Sequence, residues 1–361
     1  MRHPNNQTAP LAATSPLERV WRNLFSSPMN AFLTLAVLFL LYWVVLPVVQ
    51  WAFIEANWSG ESRQDCVRSG ACWVFIKVRF AQFMYGFYPE AERWRVNTTF
   101  LLFGVACLPL FFPSFPRKAW VGAFLLVVYP FVGFILLVGG LFGLPVVETR
   151  LWGGLMVTLV VAGVGIVVSF PVGVVLALGR RSTMPVIRAI CTAFIEIVRG
   201  IPLISVLFMA SVMLPMFLPE GMNFDKLLRA LVGVTLFAGA YMAEVVRGGL
   251  QAIPRGQFEA AAALGLGYWR MMGLVILPQA LRIVIPGIVN TFIGLFKDTT
   301  LVLIIGLFDL LGIIRAATAD PNWLGFTMEG YAFAAVVFWI FCFSMSRISL
   351  LLEGRLQVSD K

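Results

Sequence analysis

The fold class this sequence predicts is an all-α, polytopic integral membrane protein with about eight transmembrane helices. Three observations predict it. Apolar residues make up 60% of the 361, charged residues only 12%, and the mean hydropathy is +0.89; a soluble domain carries about 25% charged residues. The apolar excess is gathered into long runs, the pattern that a bilayer selects. Inside lipid the backbone must bond to itself, so each run becomes a helix, and roughly 20 residues cover the hydrocarbon.

In chain order, residues 1–28 form a tail, and its Pro4, Asn5, Asn6, Gln7, Thr8 and Pro10 read as disordered. Spans then fall near 29–51, 97–112, 119–142, 151–178, 187–217, 227–247, 279–296 and 330–352. The first is not a cleavable signal peptide: its run is too long, it follows a tail, and no A-x-A site comes after it. The second is short and must borrow flanking residues. The fifth is too long for one straight helix, and Pro202 interrupts it just after Arg199 and Gly200. The stretch Leu301 to Leu311 is too short to cross and reads as a re-entrant or surface helix.

Composition divides the chain further. Residues 29–150 hold three spans and an outside loop, 52–96. Its Trp73, Phe75, Phe80, Phe83, Tyr85, Phe87, Tyr88 and Trp94 suit either the membrane interface or packing against helices. Residues 151–352 form a core richer in Gly and Pro, containing an inside loop at 248–278, and 353–361 is a second tail. Gly163, Gly165, Pro171 and Gly173 fall in one span, where small residues allow close approach and bending.

Placing both termini in the cytoplasm puts fifteen Lys and Arg inside against eleven outside, with most of the latter in one long loop. The net charge of +9 therefore reads as topology and requires no nucleic-acid partner. Cys66 and Cys72 share the outside loop, where a disulfide and two free thiols are equally compatible with the spacing. Cys107, Cys191 and Cys342 lie in spans as packing residues. His3 is the single histidine, so histidine relays and His-based metal sites are excluded.

The most informative polar stretch is EVVRGGLQAIPRGQFEAAAALGLGYWRMMGLVILPQALR, the inside loop after span six. Pro254 opens a helix, Glu259 leads four alanines, and Gly265 offers a left-handed stop. A second short helix follows from Tyr268, and Pro278 marks the start of span seven. A rigid two-helix element lies on the inner face, with alanines that admit a close partner and a rim of Arg255, Gln257, Tyr268, Trp269 and Arg270.

That stretch resembles the cytoplasmic EAA signature of bacterial ABC-importer permeases: Glu259, Ala260, Ala261, then Gly265, then Leu277 and Pro278, with Val275 where the family usually has isoleucine. FIEIVRGIPLI (194–204) and LFKDTTLVLIIGLFDLL (295–311) are similar to segments of polar-amino-acid permeases, and the first half resembles the longer M-type permease of the general L-amino-acid importer. The resemblance implies a type I permease core in the C-terminal half. It also implies a coupling helix seated in a separate ATPase dimer that binds the ATP, a second permease that is a paralogue, a periplasmic binding protein, and the inner membrane as location. The chain itself is then neither an enzyme nor the holder of a cofactor, and it has no Gly-Lys dipeptide for a phosphate-cradling loop.

Charged residues in the spans are costly unless paired. Glu196 and Arg199, like Glu244 and Arg247, stand at i, i+3 and suit intrahelical ion pairs; Glu196 and Arg199 are also substrate-pathway candidates. Lys297, Asp298 and Thr299, near the outside end of span seven, are the other candidates. An ion-gradient-driven secondary transporter is the alternative, though it would need intramembrane carboxylates or broken repeats. A membrane enzyme would need His, Ser/Lys or paired carboxylates at one depth, and none converge.

Overall fold

The computed structural model describes residues 16–358, except 67, 68, 113, 114, 218 and 220–223. The disorder expected at Pro4–Pro10 lies outside these residues. By contacts the chain forms two units, up to Phe75 and from Ile76 onward.

In the first unit, α1 (Pro16–Leu24) shows that part of the expected tail is helical, with Trp21 stacked on Phe25 at 4.4 Å. Helix α2 (Pro28–Val49) starts at Ser27, whose hydroxyl accepts the N–H of Asn30, and continues through a π turn to Ile54. It is apolar on every side and buries no residue, the pattern of a helix bathed in lipid. Beyond it, Cys66 and Cys72 are joined with their Cα atoms 5.6 Å apart, which settles the sequence's open choice in favour of a disulfide. The Asp65 carboxylate accepts the N–H groups of Glu61 and Ser62 and the Ser62 hydroxyl. Those bonds hold its pKa below the ordinary carboxylate value.

The second unit begins within α3 (Trp73–Tyr85). Phe83 and Tyr88 are buried, so this part of the aromatic loop packs into protein rather than lying free at an interface. Helix α4 (Arg93–Phe111) contains the expected 97–112 span but opens with Arg93 and Arg95, and it lacks the apolar length of the spans below. Arg95 is wholly buried and donates to the carbonyls of Leu136 and Pro145, which ties this polar first turn to the loop after the next helix. That helix runs as α5 (Lys118–Ala123), a π segment (Phe124–Val128) and α6 (Tyr129–Val138).

The core is built on α7 (Gly154–Arg180). It is followed by α8 (Pro185–Gly200), α9 (Leu203–Phe208), a π segment (Met209–Met213) and α10 (Leu214–Met216). Next comes α11 (Lys226–Ala252), capped by Asp225, which accepts the N–H groups of Leu227 and Leu228. Helices α7 and α11 pack closely because glycines face the partner. A side-chain carbon at Gly173 would lie 2.6 Å from Met242, and one at Gly239 2.7 Å from Val172.

The loop helices are α12 (Arg255–Ala263), α13 (Tyr268–Met271) and, after a π turn, α14 (Leu277–Ile283). Helix α15 (Ile285–Asp298) extends as a 3₁₀ segment to Ile305, and Gly306 turns left-handed. The short strand β1 (Phe308–Asp309) bridges in parallel to Gly153 and Gly154, and α16 (Leu310–Thr318) follows. Buried Asp309 caps α16 by accepting the N–H groups of Leu311 and Gly312. The stretch 301–311 is therefore a 3₁₀ turn, a bridge and a helix start rather than one helix, because Gly306 breaks it. Asp320 accepts the N–H of Asn322 and pairs with Arg79, and both hold its pKa down. Helix α17 (Thr327–Val358) closes the chain.

Six of these segments are long and apolar enough to cross a membrane: Pro28–Ile54, Trp120–Val138, Gly154–Arg180, Lys226–Ala252, Ile285–Ile305 and Thr327–Gly354. A seventh is counted if α8 and the helix from Leu203 to Met216, bent by 106° at Ile201–Pro202, form one span. The expected count of about eight thus compares with six or seven among the described residues. The 97–112 run starts polar, and the 187–217 run is a broken pair because Pro202 cannot continue the hydrogen-bond ladder of α8.

Candidate functional site

The inner loop forms a compact element at the end of α11. Pro254 caps α12 with an extended backbone, and Gly265 ends it at φ +71°, where an L side chain is strained. The N–H groups of Gly265 and Leu266 reach back to the carbonyls of Ala262 and Ala261. One side of the element is buried: Ile253, Ala261, Met272, Ile276 and Ala280. Ile253, Met272, Ile276 and Ala280 join Met242, Val246 and Leu250 of α11 and Ile195 of α8 in one apolar cluster, with Phe258 packed against it.

The other side is open. Glu259, Ala260 and Ala262 are exposed, as are Leu264 at 79% and Trp269 at 75%. Large apolar groups thus stand exposed beside alanines over a buried base. Leu277 is half-buried, and Pro278 sits in the first turn of α14, where its missing N–H costs nothing. The Gln279 side chain donates to Gln257 and to the Val275 carbonyl, locking α14 to α12. Arg181 donates to the Leu250 carbonyl and lies 5.6 Å over the Phe258 ring, so the end of α7 holds both α11 and α12.

One turn deeper sits a cluster of five charges. Glu244 and Arg247 form the expected pair within α11, at 2.6 Å. Glu196 and Arg199 do not pair with each other. Glu196 instead receives Arg180 of α7 at 2.8 Å, and Arg199 approaches Glu244 at 3.7 Å. Arg180 also reaches Glu244, at 2.5 Å. Arg180 is the residue that sequence reasoning missed as a partner: it read only as a positive charge at a span end, and its contacts arise from the crossing of α7, α8 and α11.

The remaining candidates lie at another depth. Leu295 packs beside Gly165, which stands about 22 Å from Arg180 along α7 at 1.5 Å per residue. Thr299 is buried, and its hydroxyl donates to the Phe296 carbonyl. Lys297 is exposed in a groove of about 440 Å³ with Thr300, Phe338, Trp339 and Cys342, and Asp298 beside it is half-buried. The five pathway candidates therefore split into two groups rather than one site. Among the described residues, no group of three His, Cys, Asp or Glu side chains is placed to hold a metal.

Helices long and apolar enough to cross a membrane, with a broken helix pair and a compact helical loop between two of them, fit a membrane transport subunit. Residues 169–358 match the family described as binding-protein-dependent transport system inner membrane component, and the chain belongs to that family. It is 56% identical, over 96% of its length and 95% of the relative's, to the inner membrane amino-acid ABC transporter permease protein YhdY of Escherichia coli. It is 40% identical, over 97% of its length and 95% of the relative's, to the glutamate/glutamine/aspartate/asparagine transport system permease protein BztC of Rhodobacter capsulatus. The probable glutamine ABC transporter permease protein GlnP of Bacillus subtilis is 34% identical over 57% of this chain and 93% of its own.

Proposed function

We propose that this chain is the membrane-spanning permease of an ATP-driven importer of L-amino acids, and that the 248–278 loop couples it to a separate ATPase dimer. The observation that carries this reading is the two-sided loop: an exposed face of Glu259, Ala260, Ala262 and Leu264 over a base fused to the apolar cluster of α8, α11 and α14. Force applied to that face moves the base, because close-packed interiors transmit strain. The relatives' names support amino acids as cargo, and the Rhodobacter capsulatus relative is named for acidic amino acids and their amides. A second permease and a periplasmic binding protein complete the assembly, with both termini of this chain in the cytoplasm. Lys297 and Asp298 are the positions proposed to face the cargo, while Glu196 and Arg199 serve the charge cluster.

The test is a cysteine cross-link from Ala262→Cys to the ATPase that co-purifies with the chain. Cross-linking that changes with ATP supports the reading. If no ATPase co-purifies and uptake follows an ion gradient, the reading is wrong.

A further inference from the structure

Helix α8 is held in an unusual way. It has 16 residues, yet Ile195 is the only one buried, and Val186, Ile190 and Ile197 turn outward. Within this chain Ile195 is its buried anchor against α7 and α11, and its outward apolar face is left to lipid or to the second permease. At its far end the chain leaves the helix through Ile201 (φ −111°, ψ 148°) and Pro202 (φ −65°, ψ 144°), both extended, at the 106° bend. A side chain at Gly200 would meet nothing within 4 Å. The helix thus ends at an uncrowded, two-residue break.

The main polar hold on α8 is Arg180, the last residue of α7. Its guanidinium bonds Glu196 of α8 through one nitrogen and Glu244 of α11 through another. Glu244, its side chain only 15% exposed, also accepts two bonds from Arg247. Arg199 of α8 makes the weaker approach to Glu244 and stacks 5.5 Å over Tyr241. The neighbouring Arg181, just past α7, grips the coupling-loop end of α11 and Phe258, so consecutive residues at the end of α7 tie α8 and the loop to the same point.

We propose that Arg180 is the positioning residue of a latch. Bridging Glu196 and Glu244, it keeps α8 against the coupling-loop end of α11, and breaking the bridge frees α8 to swing about Gly200–Pro202 during transport. The inference rests on the ATP-coupled reading above. A planar fork that serves two carboxylates on two helices cannot be replaced by an ammonium, which acts as a point charge. Arg180→Lys should therefore keep the Glu244 contact and lose the one to Glu196.

The test uses the whole complex in proteoliposomes and reads ATP hydrolysis with and without the binding protein. With the latch open, the idle rate should rise roughly 5- to 10-fold in Glu196→Gln and Arg180→Gln, with Arg180→Lys between them and wild type. Gly200→Ala, which stiffens the break, should lower the stimulated rate and leave the idle rate low. Glu196 is more than half exposed, so Glu196→Gln decides the matter if Arg180→Gln fails to assemble. Idle rates equal to wild type in Glu196→Gln and Arg180→Lys, in a complex the binding protein still stimulates, would overturn the latch. A wild-type complex that the binding protein does not stimulate would instead overturn the ATP-coupled reading.

Discussion

Truncating Phe258 to alanine separates docking from transmission. The ring is partly buried against the apolar cluster at the end of α11, and Arg181 lies over it. Removing a fully buried phenylalanine costs about 3–5 kcal/mol. At partial burial about 2 kcal/mol is lost, and the guanidinium–ring contact adds about 0.5–1 kcal/mol. Alanine's better helix propensity returns about 0.5 kcal/mol. The net loss of about 2 kcal/mol corresponds to roughly a 30-fold fall in the population of correctly seated α12. The exposed face of Glu259, Ala260 and Ala262 is untouched, so the ATPase should still co-purify. In proteoliposomes, amino acid taken up per ATP hydrolysed should drop while hydrolysis continues, and Phe258→Leu should restore most of it. Wild-type uptake per ATP in Phe258→Ala would refute the idea that force passes from the loop through this ring.

Two further outcomes follow from single observations. Gly265 has φ +71° and open space around it, so Gly265→Val should destabilise the loop by about 1–2 kcal/mol through backbone strain alone, and Gly265→Asn by less. Transport assays and ATPase retention in the two variants check this, and equal behaviour would rule out a left-handed requirement. In the turn just before the Cys66–Cys72 bridge, the pKa of Asp65 is depressed, so its stabilisation is complete above the unfolded carboxylate value of about 4 and is lost as pH falls through the lower folded value. Amide-exchange protection at Glu61 and Ser62, relative to the unstructured rate at each pH, should fall only below about pH 4 in wild type, and already at neutral pH in Asp65→Asn. Protection that survives in Asp65→Asn would show that other contacts hold the turn.

Much of the fold is legible because a membrane makes local composition decisive. The runs around α2, α7, α11 and α17 are read within a few residues, since lipid penalises any polar interruption there. The loop at 248–278 is equally legible, because proline, glycine and alanine act on backbone conformation where they stand. The misjudged elements are those in which a neighbour changes the outcome. The 97–112 run belongs to a helix whose buried Arg95 is satisfied by carbonyls at 136 and 145. The helix in the N-terminal tail is hidden by the polar residues before it, and the 301–311 stretch is not one helix because one glycine outweighs nine apolar neighbours.

The sequence by itself determined the class of protein, the places of its longest apolar spans, and the two short helices of the 248–278 loop, all consequences of short-range chemistry and the demand of a bilayer for self-satisfied backbone. Only the tertiary structure decided who pairs with whom. Glu196 lies three residues from Arg199 in the chain and bonds instead to Arg180, because the crossing of α7, α8 and α11 brings that guanidinium closer than the next turn of its own helix. Spacing along one helix describes which side chains share a face; it carries no information about the charge that a second helix presents to that face.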